Sequence, residues 1–204
     1  MLYDKDIREP LFDFLEERYG KVRIIEEKQM GRSRADVIMV RPGNLTGIEI
    51  KSDADSYGRL ARQVKDYDRY FDYNYVVVGS SHGRHIEEHV PEWWGIITAE
   101  KMENEVDFYV LREAAKNPKR VLRAKLGLLW RPELVHIQEI NQMPKYREKS
   151  KAFVADKILL KVSEELLDEQ ISQELFERDY TIIEETIKEY KRERMSLPPG
   201  RKLY

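Results

Sequence analysis

The chain has 204 residues, with 36 Lys and Arg against 38 Asp and Glu, no cysteine and 41% hydrophobic residues. This length suits one domain or a compact core with an appended part, and the apolar fraction is too high for a disordered chain. The absence of cysteine excludes disulfides, thiol catalysis and thiolate-bound zinc.

Met1 to Asp6 lacks the apolar stretch of a signal peptide, and no apolar run approaches the roughly 18 residues of a membrane helix. We therefore expect a cytoplasmic protein without a membrane partner.

The N-terminal half of the chain alternates between helical and strand patterns. The predicted elements are a helix over 4–19, strands over 22–27, 35–40 and 45–51, a helix over 56–72, a strand over 75–79, a short helix over 83–89, and strands over 95–98 and 106–111.

The order of these elements predicts a mixed sheet flanked by helices. Three successive strands favour hairpins, and the strand–helix–strand passage over 45–79 favours a parallel pair with a crossover. The helix over 56–72 carries one continuous apolar stripe, and the strand over 75–79 has no polar alternation, as in a strand buried on both faces. The fold class is therefore α/β, of the α+β mixed-sheet kind.

Helical patterns alone follow residue 112, over 120–141, 151–169, 171–178 and 182–194. We therefore divide the chain into a core over 1–111, a helical extension over 112–195 and a disordered tail over 196–204. Basic residues outnumber acidic ones over 112–151, which suggests a polyanionic partner, with a solvated surface as the alternative. This basic stripe could dock DNA, or the C-terminal helices could form a homodimer or partner surface. Its residues are Lys116, Lys119, Arg120, Arg123 and Lys125.

A pair of carboxylates and a lysine form the main candidate for a chemical site. Glu49 and Lys51 share one face of their strand, because side chains two residues apart point the same way. A hairpin with the preceding strand would bring Asp36 close to Glu49. Paired carboxylates suit Mg²⁺, and an ammonium beside them could orient an attacking water. The alternative is an ordinary Glu–Lys pair on a surface strand.

This arrangement resembles the PD-(D/E)xK nuclease superfamily, through Asp36, through Glu49-Ile50-Lys51 and through Gln63-x-x-x-Tyr67 in the next helix. It most resembles a largely uncharacterised family of bacterial and phage proteins within that superfamily. The motifs that carry the closer likeness are Arg34-Ala35-Asp36, Gly47-Ile48-Glu49-Ile50-Lys51-Ser52-Asp53-x-Asp55, Arg59-Leu60-x-Arg62-Gln63-x-x-x-Tyr67 and Val90-Pro91-Glu92-Trp93-Trp94-Gly95.

The resemblance implies a restriction-endonuclease-like core and a metal-dependent nuclease that hydrolyses phosphodiester bonds, with DNA favoured as the substrate. It implies that Asp36, Glu49 and the backbone carbonyl of Ile50 bind Mg²⁺ or Mn²⁺. Glu27 is the first candidate for a further metal ligand, and Glu17 is the second.

The resemblance also assigns roles around the metal. Lys51 would position the water and Gln63 would support the site from its helix. Arg59 and Arg62 could hold a nucleic-acid backbone, with Tyr67 as a further contact, and helix solubility is the alternative for the arginines. Because the superfamily includes members without catalysis, the rival interpretation is an inactive nuclease-fold module that binds nucleic acid or a protein partner.

Two other motifs favour structural interpretations. The histidines at 82, 85 and 89 fall on one side of the predicted helix over 83–89, and we expect a surface helix there rather than a zinc site. The tryptophans at 93 and 94 are expected to pack in the core rather than to stack on bases.

Overall fold

A six-stranded mixed sheet with helices on both faces forms the centre of the computed structural model, which describes residues 2–79, 83, 85–103 and 105–180. The helices are α1 (Asp4–Tyr19), α2 (Leu60–Tyr70), α3 (Leu122–Leu126), α4 (Arg131–Ile140), α5 (Lys151–Lys161) and α6 (Glu164–Phe176). The strands are β1 (Arg23–Met30), β2 (Ser33–Arg41), β3 (Asn44–Lys51), β4 (Tyr73–Gly79), β5 (Gly95–Lys101) and β6 (Val106–Arg112). The helix predicted over 182–194 and the tail over 196–204 lie outside the described residues.

The strands follow one another across the sheet in chain order. Strands β1, β2 and β3 pair antiparallel, β3, β4 and β5 pair parallel, and β6 returns antiparallel to β5. Helix α2 is the crossover between the parallel strands β3 and β4. The register of β2 on β3 pairs Val37 with Ile48, which puts Asp36 next to Glu49. These pairings confirm the predicted mixed sheet and its hairpins.

The two faces of the sheet have separate apolar cores. On one face, α1 contributes Ile7, Leu11 and Leu15, which are fully buried against residues such as Ile48 and Val77. Their spacing of four residues lets one side of the helix cover the sheet. No helix in the described part of the chain has both the length and the apolar character needed to cross a bilayer.

The helical C-terminal part shares the core of the other sheet face. Leu126 of α3, Leu134 of α4 and Leu175 of α6 are buried in the same cluster as Val76 and Val78 of β4. The extension therefore packs directly on the sheet that carries the carboxylate pair.

Helix boundaries in this part differ from the predicted ones. The helix predicted over 120–141 is two helices, because the chain turns after Leu126 and α4 starts afresh with Pro132 near its first residue. The helix predicted over 151–169 is broken at Ser163, whose hydroxyl caps α6 by accepting the Leu166 N–H. The segment predicted as helix over 83–89 contains one described 3₁₀ turn, Ile86–Glu88.

Candidate active site

A cavity of about 390 Å³ opens between α1, the β1–β2 turn and the start of α2. The four residues predicted as catalytic line it: Asp36 on β2, Glu49 and Lys51 on β3, and Gln63 on α2. Five arginines also line it, and they are Arg8, Arg32, Arg34, Arg59 and Arg62. The fold therefore collects the predicted acids, the lysine and the amide in one basic-rimmed cavity.

The alternation of β3 explains how two charged residues come to be buried. Ile48 and Ile50 point into the core under α1, so Glu49 and Lys51 point to the opposite face, beneath α2. Glu49 is 1% exposed and Lys51 is 4% exposed. A buried charge without a partner is strongly unfavourable, so the two side chains depend on each other and on Gln63.

The contacts around Glu49 use only one of its carboxylate oxygens. Oε1 accepts hydrogen bonds from Lys51 Nζ at 2.6 Å and from Gln63 Nε2. Lys51 Nζ also donates to Gln63 Oε1 at 3.1 Å, which closes a three-residue ring. Oε2 is buried and has no hydrogen-bond partner among the described residues. This oxygen is the unsatisfied acceptor of the site.

Asp36 completes the carboxylate pair from β2. Its Oδ2 accepts the N–H of Ile50 at 2.9 Å, across the strand pair. The pKa of Asp36 is raised from 3.8 to about 7, first by burial and then by the negative charge of Glu49, while the Ile50 N–H, Lys51 and Arg8 act in the opposite direction. Two carboxylates held this close, one without a full set of partners, form a site that a cation would stabilise.

Tyr67 holds the two strands together beneath the carboxylates. Its hydroxyl accepts the backbone N–H of Asp36 at 3.1 Å and donates to the carbonyl of Ile48 at 3.2 Å. The side chain is fully buried, so the expected contact between Tyr67 and nucleic acid is wrong. Tyr67 was part of the apolar stripe of α2, and that periodicity was the signal of its burial.

The two candidates for a third metal ligand lie in different places. Glu27 lines the cavity, with a left-handed backbone at φ 51° and a half-exposed carboxylate that pairs with Arg34 at 3.1 Å. Glu17 lines a separate groove between α1 and β6. Within residues 2–79, 83, 85–103 and 105–180, no three His, Cys, Asp or Glu side chains are grouped so as to hold a metal ion. Of the two candidates, Glu27 shares the cavity with Asp36 and Glu49, and Glu17 does not.

Arg8 is a residue of the site that the sequence pattern did not indicate. Its guanidinium is fixed by Asp4, at 3.0 and 3.1 Å, and donates to the backbone carbonyl of Asp36 at 3.2 Å. The only sequence signal is the four-residue spacing of Asp4 and Arg8 on one helix face, which indicates an ion pair but not its position against β2.

The basic stripe beyond residue 112 is divided: Lys116, Lys119 and Arg123 are exposed, whereas Arg120 and Lys125 are internal. Lys125 is fully buried and donates to Asp72 and Asp168 at 2.7 Å each, and Arg120 pairs with the same two carboxylates. Arg123 pairs with Asp156 on the surface. Docking of DNA by the stripe is therefore wrong for Arg120 and Lys125, which join the helical part to the sheet.

The two tryptophans have the structural role expected of them. Trp94 is fully buried, and the indoles of Trp93 and Trp94 both donate to Asp68, which confirms the expected packing. The ring of His89 stacks against Tyr57, and His85 is exposed. His82 lies outside the described residues.

Comparisons with known proteins place the chain in a family. No curated protein matches it. Among solved structures it is similar to SfsA of Pyrococcus furiosus in complex with Ca²⁺, at 17% identity and a TM-score of 0.32 over 52% of this chain. That match spans 59% of the SfsA chain. A family model described as bacteriophage P4 protein cII matches residues 1–197. The chain therefore belongs to the bacteriophage P4 protein cII family.

Proposed function

We propose that this protein is a metal-dependent nuclease of the PD-(D/E)xK type that hydrolyses phosphodiester bonds, with DNA as the favoured substrate. The observation that carries the proposal is the unpartnered, buried Oε2 of Glu49 beside Asp36. Such an oxygen is unfavourable in a purely structural ion pair, and it is the donor that a bound cation needs.

The donors of the cavity fit a hard cation such as Mg²⁺ or Mn²⁺. Asp36, Glu49 and the carbonyl of Ile50 would hold it, and all three donors are oxygens, which these ions prefer. When bound, the cation would polarise a phosphate oxygen and make a water molecule more acidic. The chain contributes few protein ligands, which suits an ion that keeps several of its waters.

The protein side chains would supply position and charge. Lys51, fixed by Glu49 and Gln63, would hold the attacking water and offset the negative charge that grows on phosphorus. Gln63 would keep the ammonium in place. Tyr67 and Arg8 would keep the backbone of Asp36 in register, since both bond to its peptide groups.

Cleavage assays with matched variants test this function. Purified protein is incubated with linear single-stranded and duplex DNA and with RNA, with Mg²⁺, Mn²⁺ or EDTA. We expect metal-dependent cleavage that falls by at least about a hundredfold in Lys51→Met and Glu49→Gln. Glu100→Gln, which changes an exposed carboxylate on β5, is the control and should leave the rate unchanged. Cleavage that survives unaltered in Lys51→Met would disprove the assignment.

An inactive nuclease-fold module is the alternative function. The observation that favours it is the lack of a third His, Cys, Asp or Glu at the carboxylate pair within the described part of the chain. It predicts nucleic-acid or protein binding that depends on salt but not on metal or on Lys51. Absence of cleavage on every substrate, together with metal-independent binding, would favour it over the nuclease.

A further inference from the structure

A group of positive charges surrounds Trp130, the residue directly before α4. The ring of Trp130 contacts two cations: the guanidinium carbon of Arg178 lies 3.9 Å from the ring centroid, and Nζ of Lys28 on β1 lies 5.0 Å from it. Lys151, the first residue of α5, is the third cation of the group. Its Nζ donates to the carbonyl of Gly127 at 2.8 Å, and Arg178 Nη2 donates to the next carbonyl along the chain at 3.1 Å. The three cations therefore lie close together, although they come from distant parts of the chain.

Glu133 on α4 is the carboxylate that this group contacts, and Arg178 already uses both of its oxygens. Oε1 accepts Arg178 Nε at 2.6 Å, and Oε2 accepts Arg178 Nη2 at 2.7 Å as well as the backbone N–H of Trp130. Among the described residues, neither Lys28 nor Lys151 has an ion-pair partner. Three cations thus face one carboxylate, and the two lysine charges are not balanced.

Arg178 also has one guanidinium nitrogen that lacks a partner. The side chain is buried, and its Nη1 has no hydrogen-bond partner in the part of the chain that the structure describes. Glu174 is near enough for its carboxyl to be affected by the charge of Glu133, but it contacts His136 instead. A buried donor that is left unbonded is unfavourable. A negatively charged acceptor would satisfy this donor and offset the excess charge of the lysines.

The electrostatics of Lys28 agree with this interpretation. Its pKa is lowered from 10.5 to about 8, first by burial and then by the positive charges of Arg178 and Lys151, while Glu133 acts in the opposite direction. An anion bound beside Lys28 would reverse this effect. Both lysines can be reached from solvent, because Lys28 is only half-buried and Lys151 is exposed.

We propose that Lys28, Lys151 and Arg178 form a binding site for a phosphate group, separate from the carboxylate cavity. None of the three lines that cavity. Guanidinium and ammonium groups are the side-chain donors that bind phosphate in proteins. Inorganic phosphate and a nucleic-acid backbone present the same chemical group, so they are distinguished by experiment. The proposal does not depend on the proposed nuclease function, because it requires no cleavage and no metal.

Thermal unfolding in EDTA at pH 7 tests the site. Inorganic phosphate is varied up to 10 mM, with the ionic strength held constant by NaCl. A ligand that binds the folded state raises the melting temperature, by about 3–5 °C at ten times its dissociation constant. Lys28→Met and Lys151→Met should each lose most of this increase. Lys161→Met is the matched control and should keep it, since Lys161 is an exposed lysine at the other end of α5.

The same measurement without phosphate separates this site from a purely structural one. Lys28→Met should then melt at a higher temperature than the wild type, because it removes a half-buried positive charge that Arg178 repels. A lysine kept only for its contact with Trp130 predicts the opposite, a lower melting temperature with no response to phosphate. Absence of a phosphate response in the wild type, or a response that persists in both lysine variants, would overturn the proposal.

Fluorescence anisotropy with a labelled single-stranded oligonucleotide in EDTA identifies the source of the phosphate. If the site holds a nucleic-acid phosphate, Lys28→Met and Lys151→Met should each weaken oligonucleotide binding about tenfold. Each should also lower the slope of log K against log salt by roughly one. If both variants lose the phosphate response but bind the oligonucleotide as the wild type does, the site takes free phosphate.

Discussion

The negative charge of Asp36 on β2 lowers the stability of the metal-free fold. The neighbouring Glu49 is buried, already paired with Lys51, and cannot move away. The resulting repulsion, together with burial, gives Asp36 a pKa of about 7. A residue kept at such an energetic disadvantage is typical of a functional site.

The stability of the metal-free protein should therefore increase in Asp36→Asn near pH 8. The unfolded chain releases this proton near pH 3.8, whereas the folded chain holds it to about 7, so the unfolding free energy falls as pH rises between those values. An uncharged Asn avoids that loss, which is on the order of 4 kcal/mol for a pKa raised from 3.8 to about 7. Urea denaturation in EDTA measures the unfolding free energies of the wild type and of Asp36→Asn. The variant should be more stable than the wild type near pH 8, and this difference should shrink towards pH 5.

The control for this prediction is Asp156→Asn. The Arg123 side chain lowers the pKa of the exposed Asp156, so its charge is favourable in the folded state and its removal should bring no gain. If Asp36→Asn were less stable than the wild type at both pH 8 and pH 5, the Asp36 charge would instead support the fold.

Tyr67→Phe should destabilise the protein without weakening nucleic-acid binding in EDTA. The change leaves the N–H of Asp36 and the carbonyl of Ile48 without their buried partner, at a cost of about 1–3 kcal/mol. Thermal or urea unfolding measures the loss, and anisotropy measures binding. Weaker binding at temperatures where the variant is fully folded would restore a direct role for this residue.

Individual site residues differed in how far the sequence revealed them. Asp36, Glu49 and Lys51 follow from strand periodicity and one short hairpin, so local rules were enough to bring them together. Arg8 reaches the site only because α1 crosses β2, and nothing in its own segment encodes that packing. Arg32 depends in the same way on how the β1–β2 turn docks on α2.

Among the elements, β3 and α2 approach each other closely at Gly47. A Cβ at this position would overlap the ring of Phe71 and lie 2.7 Å from Tyr67 Cδ1. A glycine inside a strand often marks such an approach, and here it lets the helix that carries Gln63 sit against the strand that carries Glu49.

Gly47→Ala should destabilise the protein by roughly 2 kcal/mol or more, because the helix must move away from the sheet. The same shift would draw Gln63 away from Glu49, so metal-dependent cleavage should fall as well. Gly58→Ala is the matched control, since its nearest neighbour is Ser56 Oγ at 3.8 Å. Equal unfolding free energies for the two variants would refute this account of the packing.

Element boundaries in the C-terminal part were the least predictable feature of the fold. Apolar residues recur at helical spacing through 151–169, and that period continues across the break before α6. The capping serine at 163 was the local signal of the break. By contrast, the strands were found to within a few residues, helped by the glycine or proline in the turns that precede β1, β2 and β3.

Across the whole molecule, a buried ion network joins the sheet to the helical part. Asp72 sits between α2 and β4, where Lys125 Nζ and Arg120 Nε contact its two oxygens at 2.7 and 3.0 Å. Asp168 of α6 contacts the same two cations. With one apolar core shared by both parts, we propose that residues 1–111 and the helical extension unfold as a unit.

Lys125→Ala should destabilise the whole protein by about 3–5 kcal/mol, since it leaves buried carboxylates with too little positive charge. Tryptophan fluorescence and far-ultraviolet circular dichroism should report one coincident transition. Arg123→Ala, which breaks the exposed pair with Asp156, should change the unfolding free energy by less than about 1 kcal/mol. Two separate transitions in the wild type would instead support independent domains with a boundary at residue 112.

The order of the strands has a consequence for biosynthesis. Each strand pairs with the one that precedes it in the chain, so the sheet can grow as the polypeptide leaves the ribosome. Asp72, however, is made 53 residues before Lys125, and Asp168 follows 43 residues later still. Until α6 has been translated, Asp72 in the nascent sheet lacks part of the ion network, because Asp168 is not yet present. We therefore propose that the arrival of α6 commits the newly made sheet to its finished fold.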